Sequence, residues 1–436
     1  MPRSALSGSS WCARLGTLRH AASEVDGRSG FLAAILPTAL RVTLRNSMHY
    51  LLAAALFLGI LTLWVPGYWA VAVFEVGVFG LAVGAMFRWL RTPPRFAYPL
   101  VPLLFAVFWG LLQWWTGRTA SPFETRIALA RWTALLAVFI SGLVLFQDPR
   151  VHRWFRSAML WFGFLVAVVA TLQTFTGEGK VFWIFQAEYT EGVMGPILSR
   201  NHYAAFIEVV LPLAIYASMS GKRKSLLYSV MAAAMYASVI VSASRAGFVL
   251  SSAEIVVVTA LLWLQGRTSG RAVGISLVRV VLLLAVFTAV VGWGKVWERL
   301  QTPDPFATRR EFDISSMRMI AARPWSGFGL GTWPVVYPAY AIIDTGLFAN
   351  RAHCDWLEWT ADGGLPFGIA MATLFLWCLR PAFGSVWGIG VVAVFLHATV
   401  DYPFSRPVLA AWTVVMIALL ATRMNPAGAE FDDRYA

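Results

Sequence analysis

Six consecutive residues, His353-Cys354-Asp355-Trp356-Leu357-Glu358, place an imidazole, a thiol and two carboxylates at the end of a hydrophilic stretch, Gly294 to Asp355, lying between strongly apolar runs. A neutral imidazole near a membrane surface can take a proton from a hydroxyl at neutral pH, which makes His353 the candidate general base. At helical spacing His353 shares a face with Trp356 or Leu357, while Asp355 and Glu358 lie i,i+3 on another. The spacing predicts a helix opened by His353, with Asp355 near its N-cap, and ended by Gly363-Gly364. A metal held by His353, Asp355 and Glu358 is the competing chemistry. The His-x-x-x-His and paired-cysteine spacings of such sites are absent, so neither metal nor other cofactor is expected. Cys354 has no identifiable partner to activate it as a nucleophile.

Two arginines suit a phosphate. Arg245, in Ser242-Ala243-Ser244-Arg245-Ala246-Gly247, is the only charge from Ser225 through Ser252. A charge near the bilayer core costs about 2.5–3.5 kcal/mol, and a fixed guanidinium binds phosphate bidentately. Arg318, in Ser316-Met317-Arg318-Met319-Ile320-Ala321-Ala322-Arg323-Pro324, lies on a short helix that Pro324 ends. The plainer alternatives are a snorkelling arginine at a helix end for Arg245 and a solvated one for Arg318, as for Arg309, Arg310 and Arg323.

Ser199-Arg200-Asn201-His202-Tyr203 leads into an apolar run, with Arg200, Asn201 and His202 forming interface anchors or a second wall of the site. His397 and Asp401 stand i,i+4 before Pro403, so Asp401 either orients a site arginine or pairs with His397. Gly327-x-Gly329-x-Gly331 reads as a tight turn, because a dinucleotide fingerprint needs a preceding strand in a βαβ unit.

The elements that must position these residues are membrane helices. The chain is 58% hydrophobic and 13% charged, with a mean hydropathy of +0.66. Soluble domains carry about a quarter charged residues, so this is an all-α, polytopic integral membrane protein. Apolar runs of about 17–23 residues predict about twelve transmembrane helices, centred near residues 57, 78, 107, 137, 165, 209, 234, 255, 284, 371, 393 and 414. A large loop, 294–355, falls between the ninth and tenth. The net charge of +13 sits in short clusters rather than on one face, which argues against nucleic acid. Arg88, Arg91 and Arg95, then Arg150 and Arg153, Lys222 to Lys224, Arg267 and Arg271, and Arg380 mark alternate loops. By the positive-inside rule these are cytoplasmic, and the 294–355 loop is periplasmic in a bacterial inner membrane. Residues 1–47 form a cytosolic tail without a signal peptide, 48–423 the membrane domain and 424–436 a second cytosolic tail. The 21 tryptophans fit aromatic belts, and Cys12, Cys354 and Cys378 are too scattered for a disulfide.

Ser199-Arg200-Asn201-His202-Tyr203-Ala204, Ser244-Arg245-Ala246-Gly247, Arg323-Pro324-Trp325-Ser326-Gly327-Phe328-Gly329-Leu330-Gly331 and His353-Cys354-Asp355-Trp356-Leu357-Glu358 resemble the bacterial O-antigen ligase and polymerase family. The similarity runs from about Ser199 to Pro407; the N-terminal half matches only in hydropathy. The resemblance implies a metal-independent glycosyltransferase that moves a glycan from an undecaprenyl-pyrophosphate carrier onto lipid A–core or another glycan repeat. It places the family's essential arginines at Arg245 and Arg318 and its loop histidine at His353, with Arg200, Asn201, His202, Asp355, Glu358 and Asp401 around the substrate. Two departures touch acceptor specificity: Cys354 stands where asparagine is common, and Gly363 where a threonine often precedes the glycine. A secondary transporter or flippase is the alternative, resting on Glu75, Glu208 and Glu254 within predicted spans.

Overall fold

A computed structural model describes residues 38–186, 192–219, 224–291, 307–343 and 348–423. Most of the N-terminal tail, Lys222 and Arg223, the first part of the 294–355 loop, residues 344–347 and the 424–436 tail lie outside the described residues. The chain divides after Tyr50, and everything below concerns the second unit, Leu51–Ala436.

Inside a bilayer no water satisfies the backbone, so apolar runs close their own hydrogen bonds as helices. The described helices are α1 (Thr38–Leu61), α2 (Trp69–Arg91), α3 (Leu100–Trp115), α4 (Pro122–Leu145), α5 (Pro149–Thr176), α6 (Arg200–Met219), α7 (Ser225–Ser242), α8 (Arg245–Leu264), α9 (Gly270–Val291), α10 (Ala307–Ala322), α11 (Trp333–Val336), α12 (Asp355–Ser385), α13 (Ile389–His397) and α14 (Pro407–Arg423). Each of the twelve expected span centres falls within one of them. By length and composition, seven of the described helices are able to cross a membrane: α2, α4, α5, α6, α7, α8 and α12. Among the described residues the protein is thus an all-α membrane protein apart from a two-stranded antiparallel ribbon, Lys180–Val181 with Phe185–Gln186.

Local sequence sets the helix starts. Ser121 and Asp148 cap α4 and α5, each followed by a proline at the first helical position, and Ser244 caps α8 by accepting from the Gly247 N–H. α6 is buried nearly all round, as is α14. α8 buries one stripe, Gly247, Ser251, Glu254, Val258 and Leu262, and packs it on α6 and α13. α2 buries only Phe74, Val78 and Ala85, as a lipid-facing helix does.

The helix at Asp355 departs from its expected start. It starts at Asp355, one residue after Cys354, rather than at His353. Its first segment ends where expected: Gly364, with φ 72° and ψ 178°, breaks it, and a second helical segment follows directly to Ser385. The 324–331 turn docks at that break. Phe328 and Gly329 donate to the Ala361 and Asp362 carbonyls, and Leu365 donates to the Pro324 carbonyl. Gln113 of α3 completes the joint: its amide donates to the Ser326 and Asp362 carbonyls, and its oxygen accepts from the Leu330 N–H. Gly327 has φ +62°, and a Cβ there would lie 2.2 Å from the Asp362 carbonyl oxygen. Gly327→Ala is therefore expected to cost at least ~1–3 kcal/mol, seen as a lower thermal midpoint of the purified protein. An unchanged midpoint would show that the joint relaxes without loss.

Candidate active site

The site is built where the first turn of α12 meets the segment after α13. Cys354, the N-cap, makes no side-chain cap. Two carboxylates of the first turn instead tie the helix to neighbouring segments. Glu358 reaches back to accept from the Ala352 N–H at 3.0 Å and from Arg351 at 2.6 Å. Asp355 is fully buried and accepts from the Phe404 N–H at 2.8 Å and the Ser405 hydroxyl at 3.0 Å. Its own N–H donates to the carbonyls of Ala398 and Asp401. Asp355 and Glu358 therefore share a face, as their spacing predicts, and tie α12 to the 398–405 segment. The Glu358 carboxylate also counters the cost of burying Arg351, and holds that guanidinium's pKa above its ordinary value.

His353 stands outside this helix, in the left-handed backbone region at φ +55°. It consequently does not share a helical face with Trp356 or Leu357. The reversal sends its ring to Asp401, with Nδ1 3.4 Å from Oδ1, an ion-pair distance without an aligned hydrogen bond. The ring stacks on Phe312 of α10 at 5.8 Å and meets Tyr402 edge-on at 4.8 Å. Tyr402 is sandwiched: its ring also meets His202 edge-on at 4.6 Å. Burial works against ionisation of Asp401, but the His353 contact and the imidazoles of His202 and His397 outweigh it and lower the carboxyl below the usual carboxylate range. Among the described residues, Asp401 Oδ2 and His202 Nε2 are buried without a hydrogen-bond partner. About a third of the His353 side chain is exposed, so the imidazole is both held and reachable.

The second wall comes from α6 and α8, which begin side by side. The Ser244 hydroxyl donates to the Asn201 side-chain oxygen at 2.9 Å. Gly247 sits against Ala204, where an added Cβ would lie 2.4 Å from the Ala204 Cβ. Arg200 and Arg245 are the first residues of these two helices, both partly buried. Asn201, His202, Ser244-Arg245, His353, Asp401 and Tyr402 thus form one connected region. Arg318 is exposed on α10, six residues beyond the Phe312 that stacks on His353, about 9 Å along the axis.

One expected pairing changes. Asp401 does not pair with His397; His397 Nδ1 contacts the Glu208 carboxylate at 2.8 Å instead. In the 327–331 turn the N–H groups of Gly327 to Gly331 all have protein acceptors, Gly331 donating to the Asp362 carboxylate, so it is a structural turn and not a phosphate cradle. Among the described residues no three His, Cys, Asp or Glu side chains converge as metal ligands. Sequence reasoning passed over Tyr402, Phe312 and Gln113. Gln113 left a signal: it is the one amide in the apolar run Leu100–Trp115.

A partly exposed imidazole backed by a carboxylate can accept a proton from an alcohol, and a guanidinium within reach of a phosphorylated leaving group can stabilise it. The thiol is not suited to attack. Burial pushes Cys354 up to about 11, so it stays protonated at neutral pH. Cys354→Ala is accordingly expected to keep catalytic turnover within a few-fold, measured in whichever assay wild type supports; abolition with intact folding would put the thiol in the chemistry.

No curated protein matches the chain. A family model described as O-Antigen ligase matches residues 230–372, about a third of its length. The match takes in Arg245, Arg318, the glycine turn and His353 to Glu358, and stops short of Arg200–His202 and Asp401 on either side. Residues 230–372 are thus similar to the O-antigen ligase family, in line with the bacterial ligase and polymerase family that the sequence motifs resemble.

Proposed function

We propose that the protein is a glycosyltransferase of the bacterial inner membrane, working at the periplasmic face on an undecaprenyl-pyrophosphate-linked glycan. The observation that carries this reading is the His353–Asp401 contact, set between Tyr402 and the paired starts of α6 and α8. In the proposed step the acceptor hydroxyl gives its proton to His353 and its oxygen attacks the anomeric carbon. The bond from that carbon to the pyrophosphate oxygen breaks, and undecaprenyl pyrophosphate leaves with the bonding electrons. Asp401 orients the imidazole and stabilises its charged form. Arg245 and Arg318 receive the pyrophosphate, and their fixed charge does without a metal the work of stabilising the leaving group. Arg200 and the N–H groups at the starts of α6 and α8 add positive potential on the same side.

His202 and Asn201 contribute polar atoms to the substrate wall, whereas Asp355 and Glu358 act by holding the segment that carries Asp401. The membrane domain, 48–423 with its 294–355 loop, forms the catalytic unit between two cytosolic tails. The acceptor is lipid A–core for a ligase or another repeat unit for a polymerase. Glu254, with both carboxylate oxygens buried and unpartnered among the described residues, is the observation that favours a transporter or flippase instead. The counterpart Glu208 is already paired within the protein.

The test is transfer by purified protein from the lipid-linked donor in the presence of a chelator. His353→Ala and Arg245→Ala are each expected to lower turnover at least ~100-fold with normal insertion. Full transfer by either variant would remove that residue from the mechanism. Donor-dependent counterflow in vesicles without transfer would favour the transporter.

A further inference from the structure

α6 touches the 397–405 stretch at two levels. At its first turn His202 meets Tyr402, and six residues further on, about 9 Å along the axis, Glu208 meets His397. The second contact is fully buried: both side chains are 0% exposed, and His397 Nδ1 lies 2.8 and 3.1 Å from the two Glu208 oxygens. Below it α13 lies directly on the α6 backbone, since a Cβ on Gly390 would sit 2.2 Å from the Glu208 carbonyl oxygen.

Two carboxylate oxygens on one imidazole nitrogen, inside a helical bundle, is a costly arrangement that well-packed apolar side chains would replace at no loss of stability. What it supplies is position. His397 is the last residue of α13, and its carbonyl accepts from the N–H groups of both Val400 and Asp401. The adjacent Ala398 carbonyl accepts from the Asp355 N–H, which ties the same turn to the start of α12. Fixing the His397 ring therefore fixes the turn that presents Asp401 to His353. We propose that Glu208 and His397 are positioning residues for the reaction, a buried clamp that sets the Asp401 carboxylate against the His353 imidazole. The clamp rests on the reading of His353 and Asp401 as the reacting pair. It assigns to Glu208 a role within the transfer site rather than in an ion path.

The experiment uses the full chain in lipid nanodiscs and combines amide hydrogen exchange with steady-state transfer from an undecaprenyl-pyrophosphate-linked glycan. Glu208→Gln and His397→Gln are each expected to speed exchange across residues 398–405 while α6 itself stays protected. Each should lower kcat about tenfold to a hundredfold with the donor KM unchanged, the signature of a misplaced group rather than lost binding. The double variant should lose no more than the worse single variant, and neither change should lower kcat further in an Asp401→Asn background. Unchanged exchange at 398–405, or losses that multiply in the double variant, would overturn the clamp. Should Glu208→Gln fail to insert, Glu208→Asp keeps the carboxyl but draws it back by one methylene, and its exchange is read the same way. Faster exchange together with full transfer by Asp401→Asn would leave the clamp standing as a loop anchor and refute the reacting pair.

Discussion

Much of the site depends on one buried carboxylate. Asp355 accepts from Phe404 and Ser405 while its N–H donates to Ala398 and Asp401. These contacts join two parts of the chain that converge from opposite sides, the loop that ends in His353 and the turn that follows α13. A buried carboxylate tolerates no missing donor, because the desolvation penalty then stands uncompensated. The constraint therefore acts in both directions. The 401–405 segment has to close on the helix, and the residue two before the helix has to turn away from it. His353 accepts a left-handed backbone as the consequence, and a histidine bears this more easily than a β-branched residue would.

The glycine joint serves the same end from the other side of α12. Gly364 breaks the helix, and the freed carbonyls of Ala361 and Asp362 take the N–H groups of the 324–331 turn. That turn is continuous with the short α11, whose Trp333 and neighbouring Tyr337 pack around Phe312. Phe312 in turn lies flat on the His353 ring. The residues flanking the imidazole are thus held by an aromatic cluster, which is what the proposed base requires.

The sequence made part of this legible. Each apolar run coincided with a described helix, and seven of these helices are long and apolar enough to cross a membrane. The three glycines of 327–331 announced a turn because no other residue adopts their backbone so readily. His353, Arg245 and the Ser199–Tyr203 element stood out because polar groups at a membrane edge are rare. What stayed hidden were pairings between distant residues. Periodicity gives the face a residue occupies, not the residue opposite, so Glu208 with His397 and Gln113 with Leu330 could not be matched in advance. His397 and Asp401 looked paired at i,i+4, yet each found a partner elsewhere. The Gly363-Gly364 ending was legible, but not that the turn from 324 to 331 would take the freed carbonyls and that a second helical segment would follow at once.

The most direct test of the account is a structure with an undecaprenyl-pyrophosphate-linked glycan bound. The pyrophosphate is expected at the paired starts of α6 and α8, within reach of the Arg245 guanidinium, with the first sugar's anomeric carbon facing His353. A donor found instead in the interior beside Glu254, with His353 remote from it, would contradict the transferase reading and support movement of the lipid itself.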